Sequence, residues 1–261
     1  HGEIDAALVS NTVDTPVVRV YHGVERTGYA ARVLGRVSST TAAVANSRQT
    51  ADAVVEQLGH DVAGVVWPGV NIEQFTPDAP PAFECDEPVV LFVGRFTERK
   101  GVFDLLRAFS GLTDDARLVL VGRGDDERIE QVASEHGIHD ALTVVGEVPH
   151  DQLPGYYTAS DVFCLPSYAE SFGLVNVEAM ACATPVVTTD IPGIRGVVTD
   201  GETATLTEPG DVAALRASLA ELLDSPARRH QLGATARTAA KSYSWEQSAE
   251  QLLAVSRRLV E

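Results

Sequence analysis

The chain has 261 residues, enough for one large domain or two smaller ones, and its 44% apolar content suffices for a buried core. Asp plus Glu number 37 against 20 Lys plus Arg, so the net charge is −17; this disfavours nucleic acid as a partner, because phosphate binding needs a cationic face. Only Lys100 and Lys241 are lysines, and abundant carboxylate with almost no lysine suits a protein dissolved in concentrated salt, so a halophilic source is expected.

Cys85, Cys164 and Cys182 have no metal-ligand spacing and read as reduced thiols of a cytoplasmic protein. No apolar run approaches the roughly 18 residues that a membrane span needs, and no signal peptide is read. The sole methionine is Met180 and the first residue is His1, so the expectation is a chain truncated at its N-terminus.

In chain order, Ile4–Val9, Val17–Tyr21, Ala42–Ala45 and Val62–Trp67 read as strands, with a helix over Arg48–Leu58 behind the capping pair Asn46-Ser47. Five prolines and little periodicity between Pro68 and Pro88 mark a linker. The rhythm then restarts. Strands are expected at Val89–Val93, Leu118–Val121, Leu142–Val145, Val162–Leu165 and Pro185–Thr188. Helices are expected near Val102–Phe109, Asp126–Glu135, Leu153–Ala159, Gly173–Cys182, Asp211–Leu223 and Ala227–Ser242. Near-continuous apolar strands with helical crossovers predict an α/β fold whose parallel sheet is covered on both faces. A last amphipathic helix, Ser244–Leu259, is expected to turn Trp245, Leu252 and Leu253 to its apolar side.

Two segments carry chemistry. Glu170 and Glu178 stand eight apart around Ser171-Phe-Gly-Leu-Val-Asn-Val177, where loop becomes helix. Glu170 falls at the carboxyl edge of the sheet, where doubly wound folds bind ligands. The amides of about Phe172 to Val175 open the helix and form an anion site. Glu178 lies among apolar neighbours and needs a partner, which sugar hydroxyls would supply; a structural ion pair on a capped helix is the alternative. Gly94-Arg-Phe-Thr-Glu-Arg-Lys-Gly101 follows the Val89–Val93 strand and sets Arg95 and Lys100 near a helix start, where cations are unfavourable without an anion. A diphosphate resolves that, with Arg suited to bidentate contact and Lys acting as a point charge; Glu98 or another carboxylate would also neutralise them. Gly122-Arg-Gly124 reads as a tight turn after a strand, and backbone at Val145-Gly-Glu-Val148 is placed to meet a base edge. His22 ends a strand, a position that is usually structural. No Asp-x-Asp pair is present to hold a divalent ion.

In order and context these segments resemble the retaining glycosyltransferases of family 4. The likeness rests on Val93-Gly-Arg-Phe-Thr-Glu-Arg-Lys-Gly101, Leu120-Val-Gly-Arg-Gly124, Ala159-Ser-Asp161 with Pro166-Ser167, the Glu170–Glu178 pair running into Ala179-Met-Ala-Cys182, and Pro185-Val-Val187. More loosely, Trp67-Pro-Gly-Val-Asn71 with Phe75 and Pro77 is similar to the family's interdomain segment, and Tyr243-Ser-Trp245 to the start of its returning helix. The resemblance implies a GT-B fold: a partial N-terminal, acceptor-side Rossmann-like domain over 1–75, a linker over 76–87, a complete donor-binding domain over 88–243 and a helix over 244–261 crossing back to the first domain. It implies a metal-independent hexosyltransferase, with no cofactor, that moves a hexose from a nucleoside-diphosphate sugar to an unknown glycan or lipid-linked acceptor with retention of configuration. The place implied is the cytoplasm, with peripheral contact at the inner membrane face left open.

The roles implied are specific. Arg95 and Lys100, with the Gly94 turn, hold the donor diphosphate. The amides of Ser171, Phe172, Gly173, Leu174 and Val175 bind phosphate and sugar hydroxyls. Glu170 contacts the hexose, Glu178 the ribose, Glu147 and Val148 lie by the base, and His22 approaches the donor sugar. The chain departs from the family pattern at Pro192-Gly193-Ile-Arg195-Gly196, Ala183 and Ala204-Thr-Leu-Thr207. A nucleotide-sugar epimerase or phosphorylase of the same fold, and a non-catalytic remnant that binds nucleotide sugar or a partner chain, are the rival readings.

Overall fold

The computed structural model describes residues 18–22, 42–112 and 116–260. The strand expected at Ile4–Val9 lies outside them, as do Val17 and Gly23. The chain divides into two compact units, one formed by 1–69 with 245–261 and the other by 70–244.

In the smaller unit, β1 (Val18–Tyr21), β2 (Ala42–Ala45) and β3 (Val62–Val65) form a parallel sheet in that order. Helix α1 (Arg48–Leu58) crosses from β2 to β3. Its first turn is capped by Ser47, whose hydroxyl accepts from the Thr50 N–H, and its last by Gly59 at φ 70°. Val54 and Leu58 pack with Tyr21 and Ala43 as the core of this unit. The terminal helix, Trp245–Val260, belongs to the same unit.

That helix presents a different face from the expected one. Trp245, Leu252 and Leu253 are 59%, 37% and 53% exposed, whereas Ser248 and Val255 are buried. The contacts run through positions on one helical stripe. The Ser248 hydroxyl donates to the Trp67 carbonyl at 2.6 Å, and Gln251 Oε1 accepts from the Trp67 N–H at 3.0 Å. A Cβ on Gly64 would stand 2.8 Å from the Val255 methyl. Tight packing on a glycine of β3 decided the face, which apolar periodicity alone does not register.

The larger unit is built on six parallel strands: β4 (Val89–Val93), β5 (Arg117–Val121), β6 (Leu142–Gly146), β7 (Val162–Leu165), β8 (Val186–Thr189) and β9 (Thr205–Thr207). Their spatial order is β6-β5-β4-β7-β8-β9. The chain therefore runs outward from β4 to one edge, returns to β7 beside β4, and runs outward to the other. That is a doubly wound, Rossmann-like sheet, with its switch point between β4 and β7. All five residues of β4 are buried, as expected for a parallel strand covered on both faces.

The crossovers are α2 (Val102–Phe109), α3 (Asp126–Glu135), α4 (Leu153–Thr158), α5 (Leu174–Ala181) and α6 (Pro192–Arg195); α7 (Val212–Asp224) and α8 (Pro226–Ala240) follow the last strand. The single turn α6 and the three-residue β9 were not expected from the sequence. Residues 70–75 lie in this unit rather than in the preceding one, because Val70 and Phe75 are buried in it and the Arg237 guanidinium donates to the carbonyls of Ile72 and Phe75. The segment read as a linker packs here too: the Ala82 N–H donates to the Gly155 carbonyl, and Phe83 stacks at a tilt on Tyr156.

Candidate active site

The loops leaving β4 and β7 meet at the switch point. After β4, Gly94 leads to Arg95 and a 3₁₀ turn over Glu98–Lys100, then Gly101 at φ 70° starts α2. A Cβ on Gly101 would fall 1.9 Å from the Pro166 carbonyl oxygen, so only glycine allows the two loops to touch. The Tyr168 N–H donates to the Arg99 carbonyl at 2.9 Å and the Arg99 guanidinium to the Ala169 carbonyl at 3.3 Å. Thr189 on β8 fixes the same loop by donating to the Ser167 carbonyl.

This scaffold brings Lys100 and Glu170 together. Lys100 Nζ lies 2.5 Å from Glu170 Oε1, with side chains 19% and 10% exposed, and the buried Ser167 hydroxyl donates to the same oxygen at 2.8 Å. Lys100 is thus neutralised by Glu170 and not by Glu98, which pairs with Arg128. Arg95 is exposed and makes no ion pair among the described residues. Next to the pair, the Tyr168 hydroxyl donates to Asp104 Oδ2 at 2.6 Å, which pushes its pKa up to about 12 and marks it as a structural strut.

Helix α5 starts beside Glu170. Its N-cap is Gly173 at φ 75°, without a side-chain capping bond, so this end offers backbone donors and the positive end of the dipole. Ser171, Leu174 and Val175 are half-buried, and Phe172 and Gly173 are buried. Asn176 is fully buried, and neither polar atom of its carboxamide has a partner among the described residues.

Glu178, one turn further on, is 2% exposed. Both of its oxygens are engaged: the Tyr157 hydroxyl of α4 donates to Oε2 at 3.0 Å, and His150 Nε2–H donates to Oε1 at 2.8 Å. Burial, then the adjacent carboxylate, pushes the Tyr157 hydroxyl far up, and the hydrogen bond to Glu178 raises the His150 imidazole. Glu147 forms an exposed ion pair with Arg123 at 3.4 Å, and Val148 is half-buried two residues before His150. The Gly122-Arg-Gly124 segment is a tight turn, since a Cβ on Gly122 would meet the Gly94 carbonyl at 1.9 Å. His22 belongs to the smaller unit; it is exposed, and its carbonyl accepts from the Asn46 amide at 3.1 Å.

Sequence reasoning missed His150, Tyr157, Ser167 and Asn176 as site residues. The signal for the first two was the demand of a buried carboxylate for donors, but their separations of 28 and 21 residues from Glu178 hid the pairing. Among the described residues, no group of three or more His, Cys, Asp or Glu side chains is arranged to hold a metal ion, and no helix is long and apolar enough to cross a membrane.

A parallel doubly wound sheet carrying charged groups at its switch point defines a Rossmann-like α/β domain with a ligand-type crevice. The family described as glycosyl transferases group 1 matches residues 54–239, and the chain belongs to that family. It is 33% identical, over 95% of its length, to a D-inositol 3-phosphate glycosyltransferase of Xylanimonas cellulosilytica, and covers 67% of that protein. It is 34% identical, over 97% of its length, to a phosphatidyl-myo-inositol mannosyltransferase of Mycobacterium leprae, again covering 67% of it. The chain thus spans about two thirds of these relatives' length. Among solved structures, sucrose-phosphate synthase from Thermosynechococcus elongatus superposes with a TM-score of 0.84 at 28% identity, covering 97% of this chain and 70% of that one. HepE from Anabaena, solved with UDP and glucose, superposes with a TM-score of 0.85 at 21% identity, covering 98% and 75%. The fold is the Rossmann-like α/β fold of GT-B glycosyltransferases.

Proposed function

We propose that the chain acts in a retaining, metal-independent transfer of a hexose from a nucleoside-diphosphate sugar to an acceptor hydroxyl, as in family 4 glycosyltransferases. The observation that carries this reading is the convergence of Lys100, Glu170 and the uncapped start of α5 on the switch point of the larger unit. A diphosphate placed there meets the N–H groups of Gly173 to Val175 and two cations. Arg95 engages it from an exposed, unpaired position, and Lys100 turns to it from Glu170. As the bond to the sugar breaks, negative charge grows on the departing diphosphate, and preorganised donors stabilise that charge more than the ground state. Glu170 then accepts hydrogen bonds from the hexose hydroxyls, Glu178 serves the ribose, and Glu147 and Val148 flank the base.

The named relatives make an inositol or inositol phosphate the first acceptor to try. The test is a transfer assay with UDP-, GDP- and ADP-hexoses, myo-inositol acceptors and excess EDTA, with the anomeric configuration of the product read by NMR. The reading expects product of unchanged configuration from one donor. Transfer that is abolished by EDTA and restored by a divalent ion, or that proceeds with inversion, contradicts it.

A further inference from the structure

The two donors to Glu178 are unlike. Tyr157 is completely buried, and its hydroxyl is held in the core. His150 sits in a 3₁₀ turn over His150–Gln152, its side chain 63% exposed and its ring tilted on the buried Phe75 with centroids 5.1 Å apart. Glu178 therefore has one partner in the interior and one at the surface, and its carboxylate is almost wholly covered. A ligand hydroxyl reaches Glu178 only where a partner gives way, and His150 is the partner free to do so.

We propose that His150 is a displaceable cap on the nucleotide site: it holds the Glu178 carboxylate in place in the free protein, and the donor's ribose hydroxyls take its place at Oε1. The proposal rests on the assignment of Glu178 to the ribose made above. His150 is then a positioning residue that also competes with the donor.

The competition depends on charge. The groups that face His150 are Glu178 on α5, the Tyr157 hydroxyl on α4 and Asp151 beside it; behind Glu178 stand the Cys182 thiol and Arg237 of α8. The hydrogen bond to Glu178 lifts the imidazole above its usual 6.5, against partial desolvation, and the Glu178 and Asp151 charges add to the lift. Below the raised value the imidazole is charged, and the His150–Glu178 ion pair opposes the donor. As pH rises through the raised value, the imidazole becomes neutral, the cap loosens and the donor binds more tightly. In that window donor binding releases a proton, because a displaced imidazole returns to its ordinary basicity.

Nucleoside-diphosphate sugars suit the test, because their diphosphate is doubly esterified and does not titrate in this range. The wild-type chain and the His150→Ala and His150→Gln variants are titrated with UDP-glucose, ADP-glucose and GDP-mannose by calorimetry from about pH 6 to about pH 8, in two buffers of different ionisation heat. For the sugar nucleotide that binds, wild-type affinity rises several-fold across the range with net proton release. Both variants show no slope, and His150→Ala binds more tightly than wild type at the acidic end. Independently, the His150 imidazole titrates by NMR at a raised value in the free protein and falls on addition of that donor. An equal slope in wild type and His150→Ala, or a His150 titration unmoved by the donor, overturns the proposal alone. Absence of binding by any of the three to the folded wild type overturns the donor reading, and the proposal with it.

Discussion

Lys100 and Glu170 form an ion pair across the switch point of the larger sheet, Nζ to Oε1 at 2.5 Å, bridging the loops that follow β4 and β7. The two residues are 70 apart in sequence, and the pairing is a product of the strand order β5-β4-β7-β8. Both side chains are largely buried, so each charge depends on the other. Lys100→Ala and Glu170→Ala are each expected to destabilise the fold, and the double variant to be less destabilised than their sum, with a coupling of about 1–3 kcal/mol. Urea unfolding of the four proteins measures the cycle. Additive losses contradict a pair that acts as a unit.

The two glutamates are expected to differ in what they serve. Glu178→Gln removes a charged acceptor from the proposed ribose position and is expected to weaken nucleoside-diphosphate binding by about 1.5–3 kcal/mol. Glu170→Gln is expected to lower turnover while changing nucleotide affinity much less. Calorimetry with the nucleotide and steady-state transfer rates separate the two. Equal loss of nucleotide affinity in both variants removes this division of labour.

Asn176 is a fully buried carboxamide with no partner for either polar atom among the described residues. A buried unpaired polar group carries an uncompensated desolvation cost of about 1–3 kcal/mol. Leucine has nearly the same shape and none of that cost, so Asn176→Leu is expected to raise the melting temperature. A marked fall would show that the amide has a partner in the free protein and would contradict this reading.

Gly101 and Gly137 have nearly the same backbone, at φ 70° and 66°, but different surroundings. A Cβ on Gly101 meets the Pro166 carbonyl oxygen at 1.9 Å, whereas one on Gly137 meets nothing within 4 Å. Gly137→Ala is expected to cost about 1–2 kcal/mol from the left-handed conformation alone. Gly101→Ala is expected to cost clearly more and to reduce nucleotide binding as well, because it drives apart the loops that carry Lys100 and Glu170. Equal stability losses, with binding intact in both, contradict the role given to this close approach.

Both units were legible wherever the sequence repeats a strong local signal. The buried run Val89–Val93 and helices such as Arg48–Leu58 and Val102–Phe109, with capping residues or glycines at their ends, fall where the sequence puts them. The three-residue edge strand Thr205–Thr207 and the single turn Pro192–Arg195 are too short to show a period. The face of the terminal helix was misjudged because Leu252 and Leu253 are apolar yet exposed, while Ser248 and Gln251 make the contacts through hydrogen bonds. In the candidate site, Arg95, Lys100 and Glu170 stood out because each is a charge set at a strand end or helix start, and Glu178 because it is a carboxylate among apolar neighbours within α5. Their partners Ser167, Tyr157 and His150 did not, because an apolar core admits a buried carboxylate only with donors that the fold, not the local sequence, brings to it.

The central claim is that the switch point of the larger unit is a nucleoside-diphosphate site that needs no metal. The measurement that tests it most directly is calorimetric titration of the 261-residue chain with UDP, GDP and ADP in the presence of EDTA. The account predicts saturable binding of one of the three at a single site, weakened by Glu178→Gln and by Lys100→Ala. A chain that is folded by circular dichroism and gives no binding heat with any of them would contradict it.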